Sequence, residues 1–525
     1  MSDQPTNDAH AEIQDPPQSL GGILRKIGPG LILAGSIVGS GELIATTATG
    51  AEAGFSLLWL IIIGCVIKVF VQIELGRYTM TSGQTTLVAL NSVPGPRFGI
   101  PIGGRKIGAN WIVWFWVIMF MASIAQLGGI VGGVGQALSI SVPLTETGKA
   151  YNEARENAIQ LQVAQAQFDI LKQNVSHTNA EQLEDLQEKI TSLTAVQVED
   201  PEKSHDDKIW AAIIGIGTVF LLVTGKYGLI EIFSTVFVGA FTLITIGNVF
   251  ALQGYEAWAV KGTELIEGLS FGLPEASEGK QPLATALMTF GIIGVGAAEL
   301  VAYPYWCMEK GYAKWTGKHD KSEAWGHRAK GWMHVMHWDA WSSMVLYTIS
   351  TIAFYLLGAA ILSRIGLVPA GTDMIRTLGV MYEPVFGGHA QFLFLFGAFA
   401  VLYSTFFVAN AAHTRTATDI IPAFNIKQIN ETERRKYIRI CGAIWPLMCV
   451  LIYIAIPAPV VLVLLSGLMQ ALLLPMLGVA ALYYRYKQCD ERLKPNMVWD
   501  IMLWISFVGF LIVGVYLTLH KLEVV

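Results

Sequence analysis

Residues 39–47 read GSGELIATT and residues 296–302 read GAAELVA, two versions of one phrase: a glycine, two small residues, a glutamate, Leu, then Ile or Val, then Ala. Each copy lies inside a long apolar run, Glu42 between Leu31 and about Ala48, and Glu299 within residues 283–308. A carboxylate in hydrocarbon costs a few kcal/mol, and such groups face the protein interior or a water-filled path. The repeat therefore marks Glu42 and Glu299 as functional candidates. Around them stand Gly35, Gly39 and Gly41 in the first run, and Gly291, Gly294 and Gly296 in the second, with Pro304 following. Such residues let a helix leave regular geometry in mid-membrane.

Composition sets the class. The 525 residues are 53% hydrophobic and only 14% charged, with mean hydropathy +0.49, which excludes an ordinary soluble chain and indicates an all-α polytopic membrane protein. Apolar segments long enough to span occur near residues 28–50, 55–76, 110–141, 209–225, 229–252, 283–308, 333–362, 390–412, 440–456, 459–483 and 498–519, giving about 11 transmembrane helices. Most of the 35 lysines and arginines fall in alternate connections, which predicts a cell-membrane protein with the N-terminus cytoplasmic and the C-terminus outside. The polar, acidic start has no signal-peptide pattern.

The expected organisation is a disordered cytoplasmic tail over 1–22, spans one to three over 23–143, and a polar insertion over 144–207. Spans four and five follow over 208–252, an outer loop over 253–282, spans six to ten over 283–484, and an inner loop with span eleven over 485–525. In the insertion, Ala154, Ala158, Leu161, Ala164, Phe168 and Leu171 recur at helical spacing, as do Leu183, Leu186, Ile190 and Leu193, and Thr178 with Glu181 has capping-box spacing. This reads as an antiparallel helical hairpin on the outer face, a candidate accessory element or contact with a partner or second copy. The five cysteines lie in or beside spans without metal-ligand spacing. His334, His337 and Asp339 have the spacing of a metal site at one end of span seven, but Trp332, Trp338 and Trp341 beside them fit an interfacial belt. No phosphate-binding loop, HExxH motif or nucleic-acid-binding pattern occurs.

Two interrupted helices in equivalent halves of a chain are how inverted-repeat carriers build a midplane site. Spans one to five and six to ten would be the halves, with Glu42 and Glu299 facing each other. Gly39, Gly41 and Gly296 would free backbone carbonyls beside them. Two carboxylates and carbonyls form an all-oxygen site suited to a hard divalent cation, as substrate and not as cofactor. Lys68, in the middle of span two, is the candidate internal counter-charge. It also leaves open a carrier of amino acids or other small organic substrates, in which Lys68 neutralises one glutamate and the other holds an amine. A non-transporting sensor that kept the fold is the reading from a different class.

The chain resembles the Nramp (natural resistance-associated macrophage protein) family of divalent metal transporters. GPGLILAGSIVGSGE is similar to that family's first helix, GFSLLW with TSGQTTL to its second, GIIGVGAAEL to its sixth, ERRKYIRICGAIWP to the entry of its ninth, and LLSGLMQALLLPML to its tenth. The resemblance implies a LeuT-type fold with two inverted five-helix repeats and broken helices 1 and 6. It also exposes departures. The family's Asp-Pro-Gly-Asn falls on Gly39, Ser40, Gly41 and Glu42, and its Met-Pro-His-Asn on Gly296, Ala297, Ala298 and Glu299. The ligand Asp and the soft sulfur are lost, and both asparagines have become glutamate. The third-helix acids that the family associates with proton movement fall on Gln126 and Gly129, and a sixth-helix histidine falls near Tyr303. Transport without family-type proton coupling is the expectation.

Overall fold

The computed structural model describes residues 13–102, 105–173, 180–198, 201–224, 227–274 and 281–522. Nine helices among the described residues are long and apolar enough to cross a membrane: Pro29–Ala53, Leu58–Ser82, Trp111–Ser141, Asp206–Thr224, Glu323–Ser363, Gly371–Ala423, Glu431–Ala455, Pro459–Gln488 and Met497–Lys521. Helix Tyr227–Ala251 and a helix in two pieces, Pro282–Phe290 and Ala297–Lys310, complete the eleven spans read from hydropathy. In chain order they are spans one to eleven.

The connections sort onto two faces. On one, Trp59 after span one donates to the carbonyl of Gly272 (3.1 Å), and Arg364 after span seven pairs with Glu264 (2.7 Å) in the connection between spans five and six. On the other, Asn91 after span two donates to the carbonyl of Ala423 after span eight (2.8 Å), and Arg492 after span ten donates to the carbonyl of Ser322 after span six (2.7 Å). Odd connections meet odd and even meet even, as strict alternation across a bilayer requires.

Packing repeats in the two halves. Span three packs on span ten, and span eight packs on span five. Spans three and four pack together, as do eight and nine, while span two packs on the second piece of span six and span seven on the start of span one. Exchanging one with six, two with seven, and so on to five with ten, converts each pair into its counterpart. This is the pattern of an inverted-repeat, LeuT-type bundle.

Three features differ from the sequence-based expectation. Residues 13–22 of the expected disordered tail are docked: Gln14 donates its N–H to the carbonyl of Trp315 (3.2 Å), Trp332 donates to the carbonyl of Gln14 (2.9 Å), and Ser19 caps a short helix Leu20–Leu24. The Trp332 indole in the first part of span seven and the backbone of Trp315 ahead of it hold what polarity alone assigned to solvent. A two-stranded antiparallel hairpin, β1 Arg97–Ile102 and β2 Arg105–Asn110, precedes span three. And the first span is not unwound; it widens.

The insertion forms helices Glu146–Gln173 and Ala180–Ala195, packed together; the proposed Thr178 cap lies outside the described residues. Its first helix is fastened to the beginning of span eight: Arg155 pairs through two nitrogens with Asp373, and Gln160 donates to Glu383 (2.7 Å).

Candidate functional site

Span one passes from α-helix into a nine-residue π-helix, Val38–Thr46, before resuming as α-helix. The wider turn loosens the i to i−4 ladder, and hydroxyls take up the displaced carbonyls. Thr46 Oγ1 donates to the carbonyl of Gly41 (2.8 Å) and Thr47 Oγ1 lies 3.4 Å from that of Glu42. Span six breaks between Phe290 and Ala297, where Gly294 takes φ +55°, a region glycine enters without the Cβ penalty. The irregular stretches touch, as the repeated phrase predicts. A side chain on Gly41 would put its Cβ 3.0 Å from the carbonyl oxygen of Ile292 and press the two segments apart by a few tenths of an ångström.

Glu42 is fully buried. Its Oε1 accepts the N–H of Gly294 (3.4 Å) and lies 2.8 Å from the hydroxyl of Thr351 on span seven. That hydroxyl is also 2.7 Å from the carbonyl of Tyr347, so one proton serves two acceptors. Among the described residues, Oε2 of Glu42 is buried without a hydrogen-bond partner, and so is Oε2 of Glu299. Glu299 stands in the first turn of the second piece of span six, whose N-cap is Gly296, an end where backbone N–H groups favour negative charge. A Cβ on Gly296 would lie 2.5 Å from Oε2 of Glu299 and 2.9 Å from Oε1 of Gln470; glycine there keeps room beside the carboxylate.

Lys68 is fully buried at the same place. Its ammonium donates to the carbonyls of Phe290 and of Ile293 (2.8 Å), groups that the break in span six leaves without a helical partner. No carboxylate lies within 4 Å of it among the described residues. Gly39 donates its N–H to Thr405 on span eight (3.1 Å).

Gln126 occupies the centre of a chain of hydrogen bonds. It donates to Ser40 (2.9 Å) and accepts from Ser466 and from Gln470 (both 2.8 Å), while Gln470 Oε1 accepts the N–H of Ala298 (3.0 Å). Spans one, three, six and ten are thus joined by groups that carry no charge. Gly129 packs against the backbone of Pro459.

Sequence reasoning missed Thr351, Thr405, Ser466 and Gln470. Gln470 had a legible signal, since an amide inside LLSGLMQALLLPML is nearly as anomalous as a glutamate. The hydroxyls had none, because Ser and Thr in spans commonly bond their own helix.

A cavity of about 20 Å³ reaches Glu299 from one side, between spans one, three, six and eight, with Ser36, Ser123, His413 and Thr416 in its wall. It adjoins, at Trp306, a larger recess bounded by Glu309, Lys310 and Arg415. Glu42 does not line it.

Asp339 accepts the N–H groups of Gly28 (2.8 Å) and Gly30 (2.7 Å) and the hydroxyl of Tyr303 (3.0 Å). It is the cap of span one, and Tyr303 braces it. His337 stacks on Trp499 (5.2 Å) and His334 accepts from Trp338 (3.2 Å), so the three residues with metal-site spacing point to three separate tasks. Among the described residues, no three His, Cys, Asp or Glu side chains gather as a metal centre. Asp339→Ala should lower thermal stability by about 1–2 kcal/mol, the value of a lost cap, and leave divalent-ion affinity within about twofold. Scanning calorimetry beside titration of the same sample separates the two, and a lost affinity with unchanged stability would contradict the capping role.

An eleven-span bundle with repeated packing, two irregular helices crossing at its middle and buried carboxylates at the crossing defines a multi-pass membrane protein of the LeuT-type class. The natural resistance-associated macrophage protein-like family model matches residues 185–520, and the chain belongs to that family. Among solved structures it is similar to two mutant forms of the manganese transporter of Eremococcus coleocola, at 15% and 14% identity, each with TM-score 0.56 and coverage of 96% of this chain and 88% of that chain. The search of curated proteins finds no match.

Proposed function

We propose that this protein is a secondary carrier, not an enzyme, that moves divalent metal ions by alternating access around Glu42 and Glu299. The observation that carries the reading is the pair of buried carboxylate oxygens, one on each irregular helix, that have no hydrogen-bond partner among the described residues. A buried lone pair left unmatched is costly, and a cation matches it. Two carboxylates with neighbouring hydroxyl, amide and carbonyl oxygens make a hard oxygen set; the His413 imidazole stands in the wall of the cavity at Glu299 and the Cys65 thiol lies 3.7 Å from Thr351. Such a set suits Mg²⁺, Ca²⁺ or Mn²⁺, with water completing the coordination. The similarity to a manganese transporter and the family membership support the same class of cargo.

The cavity at Glu299 is about 20 Å³, room for a water-sized occupant, whereas sites for organic ligands run to roughly 300–1,000 Å³. The cavity, outside which Glu42 stands, gives Glu299 room for water or an ion but not for an amino acid. Lys68 acts as the tethered counter-charge: it holds the broken end of span six and reduces the negative field of the empty site. Gln126 and Gly129 cannot titrate, so the carrier runs without a proton path through span three.

Isothermal titration of purified protein with Mg²⁺, Ca²⁺, Mn²⁺ and amino acids tests the cargo. Saturable heats with at least one divalent ion and none with amino acids are expected, and the reverse would overturn the reading. For coupling, divalent-ion entry into proteoliposomes should leave a luminal pH dye unchanged. Acidification that tracks metal entry and disappears in Glu42→Gln would make a binding-site glutamate the proton carrier.

A further inference from the structure

Away from the central site, a cavity of about 830 Å³ opens on the face where even-numbered connections meet. Its wall carries Lys314, Arg415, Arg434, Arg435 and Arg439 against Glu309 and Glu431. Two of the cations are committed: Arg415 forms a two-nitrogen pair with Glu309, and Arg434 pairs with Asp419 (3.3 Å). Arg435 and Arg439 are exposed, one turn apart on span nine, and have no carboxylate within 4 Å among the described residues. Leu222 and Val223 at the end of span four make the opposite wall apolar, and Ile438 lies between the two arginines on span nine.

Spans four and nine are each only 28% buried within the bundle, so this recess opens sideways towards the hydrocarbon as well as towards water. A basic mouth above an apolar, membrane-facing wall fits a molecule with a phosphate at one end and acyl chain at the other. A soluble phosphate compound would leave Val223 and Ile438 uncovered. The face is also the one rich in Lys and Arg, where the anionic lipids of a cytoplasmic leaflet lie. We propose that this cavity is a binding site for one anionic glycerophospholipid, its phosphate held by Arg435 and Arg439 and its chain lying against span four. The site adjoins the recess below Glu299 through shared residues Glu309 and Arg415, so a bound lipid braces the second piece of span six against spans eight and nine. It does not depend on which ion is carried.

The test uses the purified full chain in neutral detergent, titrated with phosphatidylglycerol, phosphatidylcholine or glycerol phosphate, with retained adducts read by native mass spectrometry and the melting temperature in parallel. Phosphatidylglycerol should bind and raise the melting temperature. The Arg435→Gln/Arg439→Gln variant should bind it about 30-fold more weakly, from about fivefold per basic residue at a membrane surface. Arg435→Lys/Arg439→Lys should keep most of the affinity, which separates lost charge from lost folding, and Lys436→Gln, on the same helix but outside the cavity wall, should change nothing. Equal binding of glycerol phosphate would identify a soluble anion site and overturn the proposal. So would equal binding of phosphatidylcholine, or phosphatidylglycerol affinity unchanged in the double glutamine variant.

Discussion

Glu42→Gln should abolish divalent-ion uptake into proteoliposomes and weaken ion binding by about 100-fold or more. Losing a residue that merely orients a metal ligand already costs about 10- to 100-fold, and Glu42 is proposed as a ligand itself. The substitution keeps shape, so it tests charge. Oε1 already receives the N–H of Gly294 and a shared hydroxyl from Thr351, so the amide still finds partners and the fold should persist. The ion then meets one carboxylate where it had two, in a place closed to bulk water. Glu299→Gln should act alike, and the double variant, with neither carboxylate charge left for the ion, should bind more weakly than either single. Thr351→Val, which removes only the orienting hydroxyl, should cost about tenfold. Calorimetric titration and tracer uptake on the same preparations measure both quantities. Uptake near the unmodified rate in folded Glu42→Gln protein would remove Glu42 from the site.

Lys68→Met should lower stability and, in the protein that remains folded, tighten the binding of divalent ions. The stability loss follows from the two carbonyls, Phe290 and Ile293, that the ammonium serves. A buried backbone acceptor left unmade costs about 1–3 kcal/mol, so the pair amounts to roughly 2–6 kcal/mol before any water enters. The tighter binding follows from charge: with the tethered cation gone, two carboxylates at the empty site are no longer partly compensated, and an incoming M²⁺ gains more. Turnover should fall at the same time, since an ion held harder leaves more slowly. Thermal unfolding, titration calorimetry and uptake rates read the three effects. Unchanged stability and unchanged affinity together would mean that Lys68 neither holds span six nor balances the site.

Much of this was legible along the chain. Hydropathy counted the spans, and the repeated GxxEL phrase placed two carboxylates in equivalent helices, because hydrocarbon penalises charge so strongly that each exception is visible without a structure. The helical hairpin of the insertion was legible for a similar reason, its apolar period standing out in a polar stretch. What was not legible came from neighbours distant in sequence. Glycine content allowed an interruption in both helices but could not say that span six would break while span one would only widen, since Thr46 and Thr47 happen to stand where hydroxyls can take the displaced carbonyls.

The sequence by itself determined the membrane class, the two-half plan and the identity of the anomalous charges, all of which follow from local transfer free energy and periodicity. Only the tertiary structure decided which partners those charges have. Lys68 donates to the carbonyls of a helix break more than 200 residues away, Asp339 caps span one instead of joining a histidine pair, and Gln126 links four spans through neutral groups. Each is a hydrogen bond between elements that meet only when the halves interlock, and nothing in the local free energy of a single span records where the other half will place its donors.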